Sequence, residues 1–389
     1  MIPMIRTGLA LASAVSFALA VSIPASAQEV RRSNDHDYRI VTVADGLAVP
    51  WSMAWLPGGD MLVTERPGRL RIIRDGRLLP DPVPGVPAVL ARGQGGLFDV
   101  LPHPDFASNR LLYLSFAKPN ADGSTTAVVR GRFENDQLTG VEEIFEALAQ
   151  GGGHYGGRLA FDRNGDLFIT AGDRMAPPSG DLEAHPAQDT SNHHGVTLRL
   201  HDDGSVPDDN PFVGQPGTRP EIWSYGHRNP QGLAIHPETG DVWITEHGPQ
   251  GGDELNRIVR GANFGWPVIG FGVNYGSGLA IHEGTTRKGM EAPSHLWVPS
   301  IATSGLLVYS GDRFPKWRGS IFAGGLAGEV VTRLDMAVGG KSVERAEELI
   351  WDLGRIRDIR QGPDGLIYIA TEDRGGAPTR LVRLEPVGN

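Results

Sequence analysis

The sequence predicts an all-β chain folded as a six-bladed β-propeller. Three observations carry this. The chain holds 53 glycines in 389 residues, about twice ordinary usage, which suits many tight turns. A strand–turn–strand unit recurs along the chain. No amphipathic helix longer than about two turns is convincing, and Val141–Ala149 is the best short candidate.

Residues 1–27 stand apart from the fold. Arg6 supplies a charged start, 8–21 is an uncharged apolar run, and Ala25-Ser26-Ala27 is a small-residue cleavage pattern before Gln28. This pattern predicts a signal peptide that sends the chain to the periplasm. No later run reaches membrane-spanning length, so no stable membrane insertion is expected. Residues 28–389 are expected to form a single propeller domain.

The repeat is read element by element. Its clearest copies are Met53–Thr64, Leu159–Thr170, Leu233–Thr245 and Ile359–Thr371; Phe98–Ser115 and Leu306–Ala323 are looser. In each, an apolar strand meets a polar turn at Gly59, Asn109, Gly165, Gly240, Gly319 or Gly365, and a second strand rich in β-branched and aromatic residues follows. Six units of roughly blade length give six blades.

Composition excludes several functions. The formal net charge is −10, a poor match to nucleic acid, which needs a basic surface. There is no cysteine, so disulfides, thiol catalysis, Cys-ligated zinc and iron–sulfur clusters are excluded. The 40% of hydrophobic residues must stabilise the fold through a core alone.

Propellers bind ligands at one mouth of the central channel. The segments leading into each innermost strand hold Arg92-Gly-Gln94, Gly151-Gly-Gly-His154, Tyr225–Gly232 with Arg228-Asn229, Pro299-Ser300 and Arg355-Ile-Arg357. His154 lies among glycines that let backbone approach a flat ligand, and an imidazole titrating near neutrality suits a general base. Arg228 offers a cation for an oxyanion or a carboxylate. Arg355 and Arg357 alternate with Ile356, so both face one side of a strand. They suit an anionic ligand or pairing with local Asp352 or Asp358. The Gly/Pro loop Thr245–Asn256, with Asp253 and Glu254, is a candidate for a hard cation such as calcium. Gly151–Gly156 also satisfies G-x-G-x-x-G, but a strand rather than a helix is expected after it, so the dinucleotide reading fails.

Together these segments resemble the soluble PQQ-dependent sugar dehydrogenases of the glucose/sorbosone dehydrogenase family, in its periplasmic aldose sugar dehydrogenase branch. The carrying motifs are 93–97 with 103–106, 154–159, 225–232, 246–254, 263–267 and 355–358. The resemblance implies a six-bladed propeller that oxidises aldoses at C1 to lactones with PQQ and calcium. His154 would remove the C1 hydroxyl proton, hydride would pass to C5 of PQQ, and Arg228 would stabilise the developing charge. Gln94, His154, Arg228, Asn229, Tyr275, Ser300, Arg355 and Arg357 match cofactor-contact positions, and Glu372 falls near an acidic one, as Glu where Asp is usual. The carbonyls of Gly248 and Pro249 match ligands of a calcium that polarises PQQ, and Glu254 with the Phe264 carbonyl matches a structural calcium site.

Two departures are visible. Gly153 stands where the glucose dehydrogenase branch has Asp, which implies a more open sugar pocket, and Ala327 stands where many members have a PQQ-contacting Lys. The residues alone are also compatible with a calcium-dependent propeller hydrolase such as a lactonase, or with a non-catalytic binding module. Neither the electron acceptor nor the oligomeric state is written in the sequence.

Overall fold

The structure, a computed structural model, describes residues 29–121 and 123–388; the expected signal peptide lies outside them. Six four-stranded antiparallel sheets form the fold. Blade 1 is Pro50–Trp55, Met61–Glu65, Arg69–Arg74 and Arg77–Leu78. Blade 2 is Leu97–Pro102, Leu111–Asn120, Gly123–Glu134 and Gln137–Glu146. Blade 3 is Leu159–Phe161, Leu167–Ala171, Val196–Leu200 and Ile222–Tyr225. Blade 4 is Pro230–Ile235, Val242–Glu246, Asp253–Arg257 and His295–Trp297. Blade 5 is Thr303–Val308, Ile321–Gly325, Val331–Met336 and Val343–Ile350. Blade 6 runs outward from Arg355–Gln361 through Ile367–Glu372 and Pro378–Pro386.

The first strand of each blade touches the first strand of the next, and blade 6 returns to blade 1. All six expected hairpins are the inner hairpins of the blades. Gly59 and Gly165 turn two of them at φ +93° and +84°, with open space where a side chain would stand. Backbone conformation, not crowding, therefore selects glycine there. The second strands of blades 1, 3, 4, 5 and 6 are buried along their whole length, because neighbouring blades cover both faces.

The ring is closed by a strand that local pattern does not reveal. Tyr38–Ala48 is the outermost strand of blade 6, with Tyr38 opposite Pro386 and Ile40 opposite Leu384. The two ends of the described chain thus share one sheet, which ties them together where the ring closes. The segment before it is pinned to blade 5, where Asp35 pairs with Arg333 and Arg345.

One expected element is different. Val141–Ala149, the short helix candidate, is mostly the outer strand Gln137–Glu146. Phe145 faces Val128 and Glu142 faces Arg130 across the ladder, so pairing with blade 2 overrides the local helical preference. Among the described residues the one α-helix is the single turn Phe106–Asn109.

Candidate active site

Each inner strand begins where its antiparallel partner ends. Pro50 faces Glu65, Pro230 faces Glu246 and Arg355 faces Glu372. One mouth of the ring is therefore built from two sets of loops: those leading into the first strands and those leaving the second strands. A cavity of about 350 Å³ opens there, walled by Gln94, Asn229, Arg355, Arg357 and Glu372. A second cavity of about 150 Å³ contains His154, Asp173, Arg228, Trp266 and Tyr275. The consecutive pairs His154-Tyr155 and Arg228-Asn229 each contribute one residue to either cavity.

His154 is buried and sits at φ +44°. Its backbone N–H donates to Gln94 Oε1 at 2.7 Å, and its Nδ1–H donates to Asp173 Oδ1 at 2.6 Å. Asp173 also accepts from Trp266 Nε1–H at 2.7 Å and from the Met175 N–H at 2.9 Å. Burial pushes His154 below the ordinary imidazole value, Asp173 opposes this, and the charge of Arg228 adds to it. Burial would raise Asp173, but the hydrogen bond from His154, the charge of Arg228 and the Met175 N–H hold its carboxyl below the ordinary range. The stable arrangement is a carboxylate beside a neutral imidazole protonated on Nδ1, which leaves Nε2 as a proton acceptor.

Arg228 closes the other side. Its Nη1 donates to the carbonyls of His247 at 3.1 Å and Gly248 at 2.7 Å, while Nε is buried without a partner. The guanidinium lies 5.2 Å from the Trp266 ring centre. The Pro249 carbonyl accepts from Tyr275 Oη at 3.0 Å and Ser300 Oγ at 3.4 Å. The structure thus gathers Gly248, Pro249, Tyr275 and Ser300 at one turn beside Arg228. Both carbonyls there already hold a side-chain donor, which a bound cation would displace or share.

In the larger cavity the arginine pair is neutralised by neither neighbour named above. Arg355 and Arg357 both bind Glu372, at 2.9 and 2.8 Å. Burial would raise Glu372, but Arg357 and then Arg355 hold it at about 2. Asp352 pairs instead with Arg31, and Asp358 with Arg158 and Arg360. Arg158 lies 4.0 Å from the Trp51 ring centre and donates to the carbonyls of Gln231 and Arg357, so this network braces the strands behind the cavity. Arg66 joins the wall with no carboxylate partner among the described residues and donates to the Gly93 carbonyl. Arg66, Arg355, Arg357 and Arg374 against Glu372 and Asp373 give this wall a positive excess, which fits a polyanion. Ala327 lines the same cavity, and Arg355 donates to the Leu326 carbonyl beside it.

Glu254 and Phe264 border a void of about 20 Å³, the size of one water or ion. Asn256 Nδ2 donates to Glu246 at 2.8 Å and to Glu254 at 3.0 Å, and its own Oδ1 is buried without a partner. Burial, then the charge of Glu246, pushes Glu254 up. Two close buried carboxylates with an orphaned amide oxygen fit a hard cation.

A Ser224–His227–Glu246 chain has hydrolase-like order, at 2.8 and 2.9 Å. Ser224 and His227 are 0% exposed and the serine also binds Thr197, so a substrate carbonyl cannot reach it.

The departures resolve differently. A side chain at Gly153 would collide with Met175 Sδ, so Met175 already fills that space and the pocket is not opened there. Asp173 and Arg66, which the lead-in segments do not contain, follow the second strands of blades 3 and 1. The available signal was their shared place after Thr170 and Thr64, where strands end at the same mouth. The stretch after Gly151–Gly156 is the strand Leu159–Phe161, as expected for a segment that is not a dinucleotide motif.

A closed six-bladed ring whose mouth joins a carboxylate-held histidine to an arginine-walled cavity defines a propeller enzyme. The chain belongs to the glucose/sorbosone dehydrogenase family, a family of oxidoreductases whose model its residues 47–383 match. It is similar to the aldose sugar dehydrogenase YliI of Escherichia coli (strain K12), 42% identical over 356 residues that cover 89% of this chain and 92% of that one. The apo crystal structure of the soluble aldose sugar dehydrogenase of Escherichia coli superposes with a TM-score of 0.84 at 40% identity, covering 90% of this chain and 100% of that one. The PQQ-bound aldose sugar dehydrogenase of Streptomyces coelicolor gives 0.73 at 28% identity, over 90% of this chain and 98% of that one.

Proposed function

We propose that this protein oxidises aldose sugars at C1 to lactones in the periplasm, with PQQ as bound cofactor and calcium as bound cation. The observation that carries the reading is the His154–Asp173 pair at 2.6 Å beside the arginine-walled cavity. PQQ, a flat tricarboxylate quinone, supplies the two-electron acceptor. Arg355, Arg357, Gln94 and Asn229, with Glu372 between the arginines, would hold it. The carbonyls of Gly248 and Pro249 would hold a calcium that polarises it, and Glu254 with the Phe264 carbonyl a structural one.

The chain's own part is proton chemistry and positioning. The sugar C1 hydroxyl meets Nε2 of a neutral imidazole, which takes its proton. Asp173 fixes the tautomer and stabilises the imidazolium that forms. Arg228 stands beside the same pocket as a fixed cation where negative charge develops. Met175, Trp266 and Tyr275 wall that pocket. Export rests on the expected signal peptide; the exported form should begin at Gln28, which mass measurement of the mature chain checks.

The direct test is reconstitution. Purified apo-protein should reduce an artificial dye with an aldose only when PQQ and Ca²⁺ are both added. No reduction with any aldose, together with no change in PQQ absorbance, overturns the reading.

A further inference from the structure

The base sits on a loop with little shape of its own. Gly151-Gly152-Gly153 precede His154, and glycines lose more freedom on folding than any other residue. His154 itself is held at φ +44°, a region that non-glycine residues rarely adopt. An outside support must keep it there.

Arg174 is that support by position. It is 3% exposed, in the loop that leaves the second strand of blade 3. Nη1 donates to the Gly153 carbonyl, and Nη2 to the carbonyls of Gly151 and, at 3.3 Å, Ser124. Its guanidinium carbon lies 3.6 Å from the centre of the Tyr155 ring. One guanidinium therefore grips the chain before His154 at two carbonyls and after it at one ring. The grip is tight: a side chain at Gly172 would run into the His154 carbonyl, and one at Gly151 into the Arg174 carbonyl. Arg174 and Met175 adopt φ +59° and +63°, so the gripping loop is itself strained.

We propose that Arg174 is a positioning residue for His154: its fork fixes the glycine loop so that the imidazole is aimed before substrate arrives. This rests on the reading of His154 as the base. A planar five-donor fork that also stacks on an aromatic ring can make all these contacts at once. A lysine ammonium supplies charge but neither the fork nor the stacking face.

The test compares Arg174→Ala and Arg174→Lys with wild type. In each, kcat should fall about 10²-fold, the loss expected from misplacing a catalytic group by an ångström. KM and PQQ affinity, measured by titrating the apo-protein, should stay within about twofold. Guanidinium at non-denaturing concentration should restore turnover to the alanine variant and not to the lysine variant. A readout free of turnover is the His154 Nδ1 proton in histidine-labelled apo-protein: its hydrogen-bonded resonance should be present in wild type and lost by exchange in both variants. Full activity in Arg174→Lys overturns the proposal, because charge alone would then suffice. So does a loss of turnover that tracks lost PQQ affinity and is not rescued by guanidinium. Failure of wild type to oxidise any aldose counts instead against the proposed function, and leaves the resonance measurement to decide on Arg174.

Discussion

Replacing Asp173 by Asn exchanges one oxygen for an amine where His154 rests. Asp173 is an acceptor on both oxygens: Oδ1 takes His154 Nδ1–H and the Met175 N–H, and Oδ2 takes Trp266 Nε1–H. Asparagine has one oxygen and cannot serve both sides. If that oxygen faces His154, the amine meets the indole N–H, and two donors oppose each other in a buried site. If the amide flips, the amine faces Nδ1 and drives the imidazole proton onto Nε2, where it blocks the base. The first case weakens a hydrogen bond to a charged group, which contributes about 1.5–3 kcal/mol, or roughly 10- to 150-fold in kcat. The second approaches the ~10⁴-fold loss known when a histidine's aspartate becomes asparagine in a serine-protease triad. Steady-state dye reduction should therefore show kcat down at least tenfold, with PQQ affinity within twofold. Asp173 raises the pKa of His154, so neutralising it should also move the acid limb of activity to lower pH. A kcat within twofold of wild type, or an acid limb moved to higher pH, refutes the assigned role.

Four further outcomes follow from the same geometry. Burial sets His154 below the ordinary imidazole value of 6.5; the base works when neutral, so kcat should hold as pH falls to that value and drop only below it, as a pH–rate profile with stable substrate will show. Burial, and then the charge of Arg228, pushes the pKa of His247 down to about 3. Its folded pKa lies below its unfolded one, so its contribution is complete above about 6.5 and lost as pH falls toward 3; the melting temperature of wild type should fall through that window more steeply than that of His247→Gln. Glu372→Gln leaves Arg355 and Arg357 without their shared carboxylate, at a cost of about 3–5 kcal/mol by thermal or denaturant unfolding. A bound polyanion should offset part of this, so PQQ should raise the melting temperature of the variant more than that of wild type. Chelator should lower the melting temperature of wild type, and Glu254→Gln should show a smaller change, because the carboxylate proposed to hold the structural cation is gone.

The blades were legible because their signal is local. Each inner hairpin places a turn residue such as Gly165 between strands a few residues away, and burial on both faces makes the second strand an apolar run. The closing strand Tyr38–Ala48 is different, since its partner Pro378–Pro386 lies at the far end of the chain and no local pattern names it. The same contrast holds in the site. His154, Arg228 and the arginine pair could be found because they precede the repeated strands. Asp173, Arg174 and Arg66 leave the second strands, and only antiparallel pairing brings those ends to the same mouth. Counter-ion choice was equally non-local: the neighbours Asp352 and Asp358 face away from the arginine pair, and Glu372 on the adjacent strand faces it. Space at Gly153 depended on Met175, 22 positions later, filling it.

Product formation by paired proteins tests the central claim most directly. Wild type and His154→Ala are loaded with PQQ and Ca²⁺, bound PQQ is measured in both, and the products of an aldose are identified. The account predicts one lactone, or the aldonic acid from its hydrolysis, for every two electrons delivered to the dye by wild type. It predicts none above background from the alanine variant at equal cofactor content. Equal lactone from both proteins would contradict the assignment of His154, and dye reduction by wild type without oxidation at C1 would contradict the proposed reaction itself.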